Sequence, residues 1–372
     1  MTPRSLVVGG TGPTGPAVVE GLLARGHDVT VLHTGRHEVA FSREIEHIHT
    51  DPNDADELAG ALGRRSFDLA VCMYGRLRVV ADAMRGRVEQ VIAVGGVFYP
   101  GWVDGRGLTA TPDGAAAPPL HSPSFAPVVE STPQEAAGAF SAKAVEAERA
   151  LMEWHHRGDF RATLLRYPMV YGPRQLAPAE WSVVRRLLDG RSVLLVPDGG
   201  LVFETRLYSE NASLMILSAV DRPDRAAGEV FNCGDAEPMT LRDWASMIAE
   251  ALGRELELVS IPFEAAGITS PYSRGPWNVC HRVLDVRKAV TLLGYEPIPA
   301  HAGLVRTARW YAEHPLERGG PEEAQLGDAF DYGAEDQLLS LARRFVADAT
   351  ESVGSGQAYR HPYAHPTPRT ST

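Results

Sequence analysis

Cysteine is scarce: the 372 residues hold three, Cys72, Cys233 and Cys280. They stand far apart, so the chain has neither a disulfide framework nor a thiolate metal site of recognisable spacing. Positive charge is in deficit too, with 36 lysines and arginines against 47 aspartates and glutamates, a formal charge of -11. Binding to nucleic acid or to an anionic membrane needs a cationic face, and this balance argues against both. No apolar run reaches the length of a membrane span, and Met1–Leu6 leads into a strand rather than an apolar signal core. The expectation is a reduced, cytoplasmic protein. What is present suffices for a large core: 44% of the residues are hydrophobic and 22% charged.

Short apolar runs at Ser5–Val8, Val29–Leu32, Ile45–His49, Phe67–Met73, Val91–Val94 and Thr163–Leu165 read as strands. Several are continuous in Val, Ile, Leu and Ala, as strands buried on both faces should be. Between the first two, Ala17–Arg25 aligns Val18, Leu22 and Leu23 on one helical face. This alternation predicts an α/β fold, a doubly wound parallel Rossmann sheet, followed by a smaller C-terminal α/β lobe. The predicted divisions are a dinucleotide-binding domain over 1–180, a substrate-binding lobe over 181–314, and an acidic connector, helix and flexible tail over 315–372. Within the first, residues 109–133 are rich in Pro, Ala, Gly and Ser and read as a lid-like loop, with helix resuming at Glu135–Met152. Leu241–Leu252 and Glu335–Asp348 also carry helical spacing.

The strongest local pattern is Val7-Val8-Gly9-Gly10-Thr11-Gly12-Pro13-Thr14-Gly15, which leaves the first strand and opens the first helix. Glycines at 9, 12 and 15 allow a sharp turn, a close approach of pyrophosphate to the backbone, and tight packing of helix on strand. The free N–H groups and dipole of the helix N-terminus then favour the phosphates. At the end of the second strand an NAD site usually offers Asp or Glu to the ribose hydroxyls. Here the chain reads Leu32-His33-Thr34-Gly35-Arg36-His37. Arg36, with His33 or His37, suits a 2′-phosphate, so NADP is expected ahead of NAD. The plain alternative for Arg36 is a solvated side chain.

With these features goes a series of longer matches. Asp51 follows the third strand; Leu165-Arg166-Tyr167-Pro168-Met169-Val170-Tyr171-Gly172-Pro173-Arg174 follows the sixth; Val230-Phe231-Asn232-Cys233-Gly234-Asp235 and Val283-Leu284-Asp285-Val286-Arg287-Lys288-Ala289 stand later. Together they resemble the extended short-chain dehydrogenase/reductases of the NAD-dependent epimerase/dehydratase type, over roughly Ser5 to His314. The resemblance implies cofactor contacts at Gly9, Thr11, Gly12, Pro13, Thr14, Gly15, His33, Arg36, Asp51, Met73, Gly95, Lys143 and Pro168. It implies substrate contacts at Tyr171, Arg206, Asn232 and Arg282, and a homodimer formed through helices such as Glu135–Met152.

The departures from that family are specific. It carries a Ser or Thr after the fifth strand, and a Tyr four residues before a Lys; the phenol transfers a proton and the Lys lowers its pKa. Here Gly95 stands near the Ser position, Lys143 fits, and Ala139 replaces the Tyr, beside Phe140. Glu204 falls where sugar-nucleotide enzymes of this type place an Arg, and Asn211 where Asp is usual. A proton-transfer group is therefore sought elsewhere, at Tyr99 past the fifth strand or at Tyr74 past the fourth, where ligands gather in such sheets. His155-His156 reads as solvent-facing near a helix end. The tail run His361-Pro362-Tyr363-Ala364-His365 offers weak metal binding at most, since its prolines and flexible context argue against a dedicated site, and no metal is expected.

The functional expectation is an NAD(P)-dependent oxidoreductase acting on a small organic or specialised-metabolite substrate without the usual Ser–Tyr pair. Two alternatives share the fold: a non-redox cyclase, dehydratase or isomerase, and a regulatory protein that senses NADP.

Overall fold

The computed structural model describes residues 2–73, 75–99, 126–134, 139–269, 272 and 281–354. The chain forms two compact units, Met1–Phe330 and Asp331–Thr372. In the first, the strands are β1 (Arg4–Val8), β2 (Asp28–His33), β3 (Glu46–His49), β4 (Phe67–Cys72), β5 (Val88–Gly96), β6 (Arg161–Tyr167), β7 (Met169–Tyr171), β8 (Val193–Pro197), β9 (Phe203–Glu204), β10 (Arg206–Tyr208), β11 (Glu229–Asn232), β12 (Met239–Thr240) and β13 (Glu257–Ile261). Seven of them make one sheet, in the order β11-β6-β5-β4-β1-β2-β3, with every neighbour parallel. The predicted doubly wound sheet is present. The order reverses between β1 and β4, and in open sheets of this kind the ligand crevice lies beyond the carboxyl ends at that reversal.

Alternate residues of β1 show why both faces are covered. Val7 packs with Val18, Val19, Leu22 and Leu23 of α1 (Gly15–Ala24). Leu6 and Val8 join the opposite layer, which holds Leu58 of α2 (Ala55–Leu62), Val80 and Met84 of α3 (Leu77–Met84), and Leu151 and Trp154 of α4 (Ala139–Arg157). A separate core gathers around Trp181 and Trp244 on α5 (Ala179–Leu188) and on the helix Leu241–Ala251. That second helix begins at a capping box between Thr240 and Asp243, which satisfies the exposed N–H groups of its first turn. β11 comes from beyond residue 180 and returns to pair with β6, so the sheet draws on both halves of the chain.

In the second unit the helix Tyr332–Val353 is N-capped by Asp331, whose Oδ1 accepts from the Ala334 N–H at 3.0 Å. Leu341, Phe345 and Val346, aligned by the helical spacing, are exposed. Among the described residues no helix is long and apolar enough to cross a membrane.

Candidate active site

The glycine loop joins β1 to α1 at the sheet's reversal point. Gly9 has φ +92°, which a side chain would resist, and its N–H bonds to the Leu32 carbonyl at 2.9 Å. A Cβ on Gly15 would lie 2.3 Å from the Gly10 carbonyl carbon, so only glycine lets the helix close on the loop. At Gly12 the nearest atom to such a Cβ is the Gly9 oxygen at 3.6 Å. The loop is tight behind Gly15 and open in front of Gly12, the shape needed for a pyrophosphate to reach bare backbone. Thr14 donates to Met73 Sδ at 3.9 Å and accepts from the Ser213 hydroxyl at its carbonyl, 3.0 Å. Two predicted cofactor residues, Thr14 and Met73, are thus neighbours; Thr11 and Pro13 lie half-buried beside them.

At the end of β2, His33 is buried, 3% exposed, and burial holds its pKa below the usual histidine value. Arg36 is exposed. Asp51 accepts from the backbone N–H and the side-chain amide of Asn53 at 2.9 and 2.8 Å. Those bonds, with the Arg36 and Arg76 charges, hold its carboxyl below the ordinary range. Glu38, passed over in the sequence, folds back over His33, His47 and His49.

A cavity of about 930 Å³ is lined by Gly95 and Gly96 at the end of β5, by Lys143 on α4, and by Asn53 and Arg76. Ala139 and Phe140 line it as well, and Phe140 is 80% exposed. The structure therefore brings Gly95 and Lys143 to one space, bordered by an alanine where the resemblance expects a phenol. Tyr74 lies outside the described residues, as does most of the lid-like loop.

Behind Gly95 sits a polar network that the sequence reading missed. A Cβ on Gly95 would meet Glu148 Oε1 at 2.6 Å. Glu148 is buried, and its Oε2 accepts from Arg166 Nε at 3.1 Å; burial pushes the carboxyl up, against the pull of the guanidinium. Arg166 Nη1 donates to the Tyr99 hydroxyl at 3.0 Å and to the Glu130 carbonyl at 3.1 Å. Tyr99 in turn donates to Asn232 Oδ1 at 2.7 Å, and Asn232 is fixed by Glu130 Oε1 and the Val128 carbonyl, each 2.9 Å away. Tyr99 and Asn232 were named for different roles and prove to be direct partners. Tyr99 is 1% exposed, packs with Val128 and Leu284, and has its phenol pKa raised by burial. Glu130, Gln134, Glu148 and Arg166 border a second cavity of about 620 Å³.

The other substrate candidates are held by protein groups. Tyr171 is fully buried and donates to Asp235 Oδ2 at 2.8 Å and the Ala300 carbonyl at 3.2 Å. Arg206, also buried, pairs with Glu204 at 3.1 Å, lies 3.8 Å from Glu180, and stacks over Trp244. Arg282 is buried where its backbone pairs with β9. Asn211 donates from Nδ2 to Asp235 Oδ1 at 2.7 Å and to the Ile298 carbonyl at 2.9 Å. A donor is required there because Asp235 is buried; an aspartate would set two carboxylates together. Pro168, half-buried, separates β6 from β7.

A family model for the NAD-dependent epimerase/dehydratase family matches residues 114–234. The chain is similar to a UDP-glucose 4-epimerase of Mycolicibacterium smegmatis, 27% identical over 83% of this chain and 98% of that protein. It is also similar to a 3-diazoavenalumate denitrifying reductase of a Streptomyces species, 25% identical over 79% of this chain and 96% of the other. A 3beta-hydroxysteroid-dehydrogenase/decarboxylase of Arabidopsis thaliana is 26% identical over half of this chain, which spans 38% of that relative's length. Among solved structures, the UDP-glucose 4-epimerase of Thermotoga maritima with UDP-glucose shares the fold at a TM-score of 0.65, with 19% identity over 84% of this chain and all of the other.

Proposed function

We propose that this chain is an NADP-preferring oxidoreductase of the NAD-dependent epimerase/dehydratase type, acting on a small organic substrate that carries no sugar-nucleotide diphosphate. The observation that carries this reading is the common cavity of Gly95, Gly96 and Lys143, on the same sheet edge that presents the open glycine loop. Gly9, Gly12 and Gly15 would hold the pyrophosphate, Arg36 the 2′-phosphate, and Lys143 the nicotinamide ribose. When bound, the dinucleotide supplies or accepts the hydride. The protein's own part is orientation, exclusion of water and control of a proton.

For the proton, the reading rests on the Glu148–Arg166–Tyr99–Asn232 network in place of a Ser–Tyr pair. Tyr99, three residues past β5, is the first candidate, and Tyr74, two residues past β4 in the sequence, the second. The substrate class follows from Glu204. A buried carboxylate stands where the resemblance expects an arginine, and it pairs with Arg206, which weakens the case for a diphosphate held by Arg206. Tyr171, Asn232 and Arg282 remain candidates to shape the substrate space. We further propose a cytoplasmic homodimer associating through α4, with 1–180 as the cofactor domain, 181–314 as the substrate lobe, and 315–372 as connector, helix and tail, of which 315–330 belong to the first compact unit.

Turnover tests the reading. Purified protein with NADPH and a panel of small carbonyl and related reducible substrates should show loss of nicotinamide absorbance, and UDP-glucose should neither bind nor react. A second reading, non-redox isomerisation, cyclisation or dehydration with the dinucleotide retained, draws on Ala139 and Gly95. Product without net change in the nicotinamide would establish that second reading, and binding of NADP without any product would leave a sensor.

A further inference from the structure

β2 and β3 pair in parallel, with His33 opposite His49 and Val31 opposite His47. Because side chains alternate along a strand, His47 and His49 share a face of β3, and that face lies beside His33. Glu38, from the connection between the two strands, reaches the same point. His33 Nε2 lies 2.9 Å from His47 Nδ1 and 4.0 Å from Glu38 Oε2. His47 Nδ1 is 3.6 Å from Glu38 Oε2, and His49 Nε2 is 3.1 Å from Glu38 Oε1. One donor atom from each of the four residues fits within 4.8 Å of all the others.

We propose that His33, Glu38, His47 and His49 form a binding site for a divalent transition-metal ion of the zinc type. Zinc bound to nitrogen and oxygen at about 2.0–2.1 Å sets tetrahedral ligand atoms roughly 3.3 Å apart. The four separations above run from 2.9 to 4.0 Å, and all the donor atoms lie within 4.8 Å of one another, so small side-chain shifts close the set on one ion. Three imidazoles and one carboxylate suit zinc, and also nickel or copper, better than magnesium or calcium, which take oxygen. His33 is the buried anchor, while His49 and Glu38, both more than half exposed, leave an entry path. In the metal-free protein one proton bridges His33 Nε2 and His47 Nδ1, and the Gly35 N–H reaches His33 Nδ1 at 3.3 Å. Metal on Nε2 sends the His33 proton to Nδ1 and opens the long contact from Gly35. The ion would tie the segment that follows β2 to β3.

The test uses untagged full-length protein, stripped with chelator and titrated calorimetrically with zinc alone. One ion per chain should bind, with a rise in Tm. Co²⁺ in its place should give the visible absorption of a tetrahedral nitrogen–oxygen site. His49→Ala and His47→Ala, at the partly exposed positions, should each weaken binding by more than about tenfold while the far-ultraviolet circular dichroism stays unchanged. The double variant His361→Ala/His365→Ala should bind as wild type does. Zinc binding that survives both His47→Ala and His49→Ala, that disappears with the two tail histidines, or that is absent from the wild type overturns the assignment.

Discussion

Glu148 Oε1 occupies the space into which a side chain at Gly95 would grow, 2.6 Å from the ideal Cβ position. The departure at Gly95 thus has a physical counterpart: the hydroxyl that the resemblance expects at the end of β5 is absent, and a buried carboxylate fills the space. Arg166 anchors that carboxylate at 3.1 Å.

Gly95→Ser should accordingly destabilise the protein by about 1–3 kcal/mol, the usual cost of overpacking a filled site. Glu148→Ala carries its own cost, because it leaves Arg166 without its carboxylate. The two changes together should cost less than their sum, with a coupling of about 0.5–3 kcal/mol. Denaturant unfolding of the four proteins measures this, and strict additivity would show that the two positions do not share the space.

Gly12 and Gly15 should separate cofactor binding from folding. A Cβ at Gly12 meets only the Gly9 oxygen at 3.6 Å, whereas at Gly15 it strikes the Gly10 backbone at 2.3 Å. Gly12→Val should keep its Tm and lose dinucleotide binding; Gly15→Val should lose stability outright. Titration with NADPH alongside thermal unfolding checks both, and undiminished affinity in Gly12→Val would remove the basis of the cofactor assignment.

Arg36 is exposed, and its charge contributes to holding the Asp51 carboxyl below its ordinary range. A guanidinium–phosphate contact contributes about 1.5–3 kcal/mol, so Arg36→Ala should weaken NADP(H) by roughly ten- to a hundredfold while sparing NAD(H). Equal weakening of both cofactors would exclude Arg36 as the discriminating residue.

Asn211→Asp should produce a pH-dependent defect. Burial already raises the Asp235 carboxyl, and the new carboxylate at 211 would replace a donor 2.7 Å away. A carboxyl whose folded pKa is raised keeps its stabilising contribution in acid and loses it as pH rises through that folded value. The variant should thus lie close to wild type near pH 4 and fall behind by about 3–5 kcal/mol at neutral pH. Unfolding free energies across that range decide it; a constant difference would mean that the two side chains do not titrate together.

The glycine loop was legible because strand, turn and helix are contiguous, and the reversal at β1 follows from the βαβ alternation. Glu148 was not legible: on a helix it reads as one more acid, and its meaning depends on the missing Cβ of Gly95 in another element. Glu38 escaped because the acid stands five residues past His33 and returns only through the turn at Gly35, where φ is +75°. Tyr99 was placed in the crevice by its nearness to β5. It turns into the core because Val128 and Leu284 bridge over it, a closure between segments far apart in the chain. Glu204 and Arg206, two residues apart across the short strands β9 and β10, could have been read as a pair.

The proton path gives the most exposed prediction. Tyr99 does not open to solvent, and burial keeps its phenol protonated at ordinary pH. Its hydrogen joins Asn232 and its oxygen takes a bond from Arg166, the cation that also holds Glu148. Tyr99→Phe removes one oxygen and leaves the Asn232 acceptor and one Arg166 donor without that partner. If this network handles the proton, kcat should fall by about a hundred- to ten-thousandfold, with the cofactor Kd unchanged. Lys143→Ala should instead weaken cofactor binding and turnover together, since the lysine lines the cavity with Gly95. Tyr74→Phe provides the comparison at the neighbouring strand. A normal kcat in Tyr99→Phe with a large loss in Tyr74→Phe would move the acid to β4. Normal rates in both would mean that no tyrosine at these two positions carries the proton, and the non-redox reading, in which the cavity shapes and desolvates its substrate, would take first place.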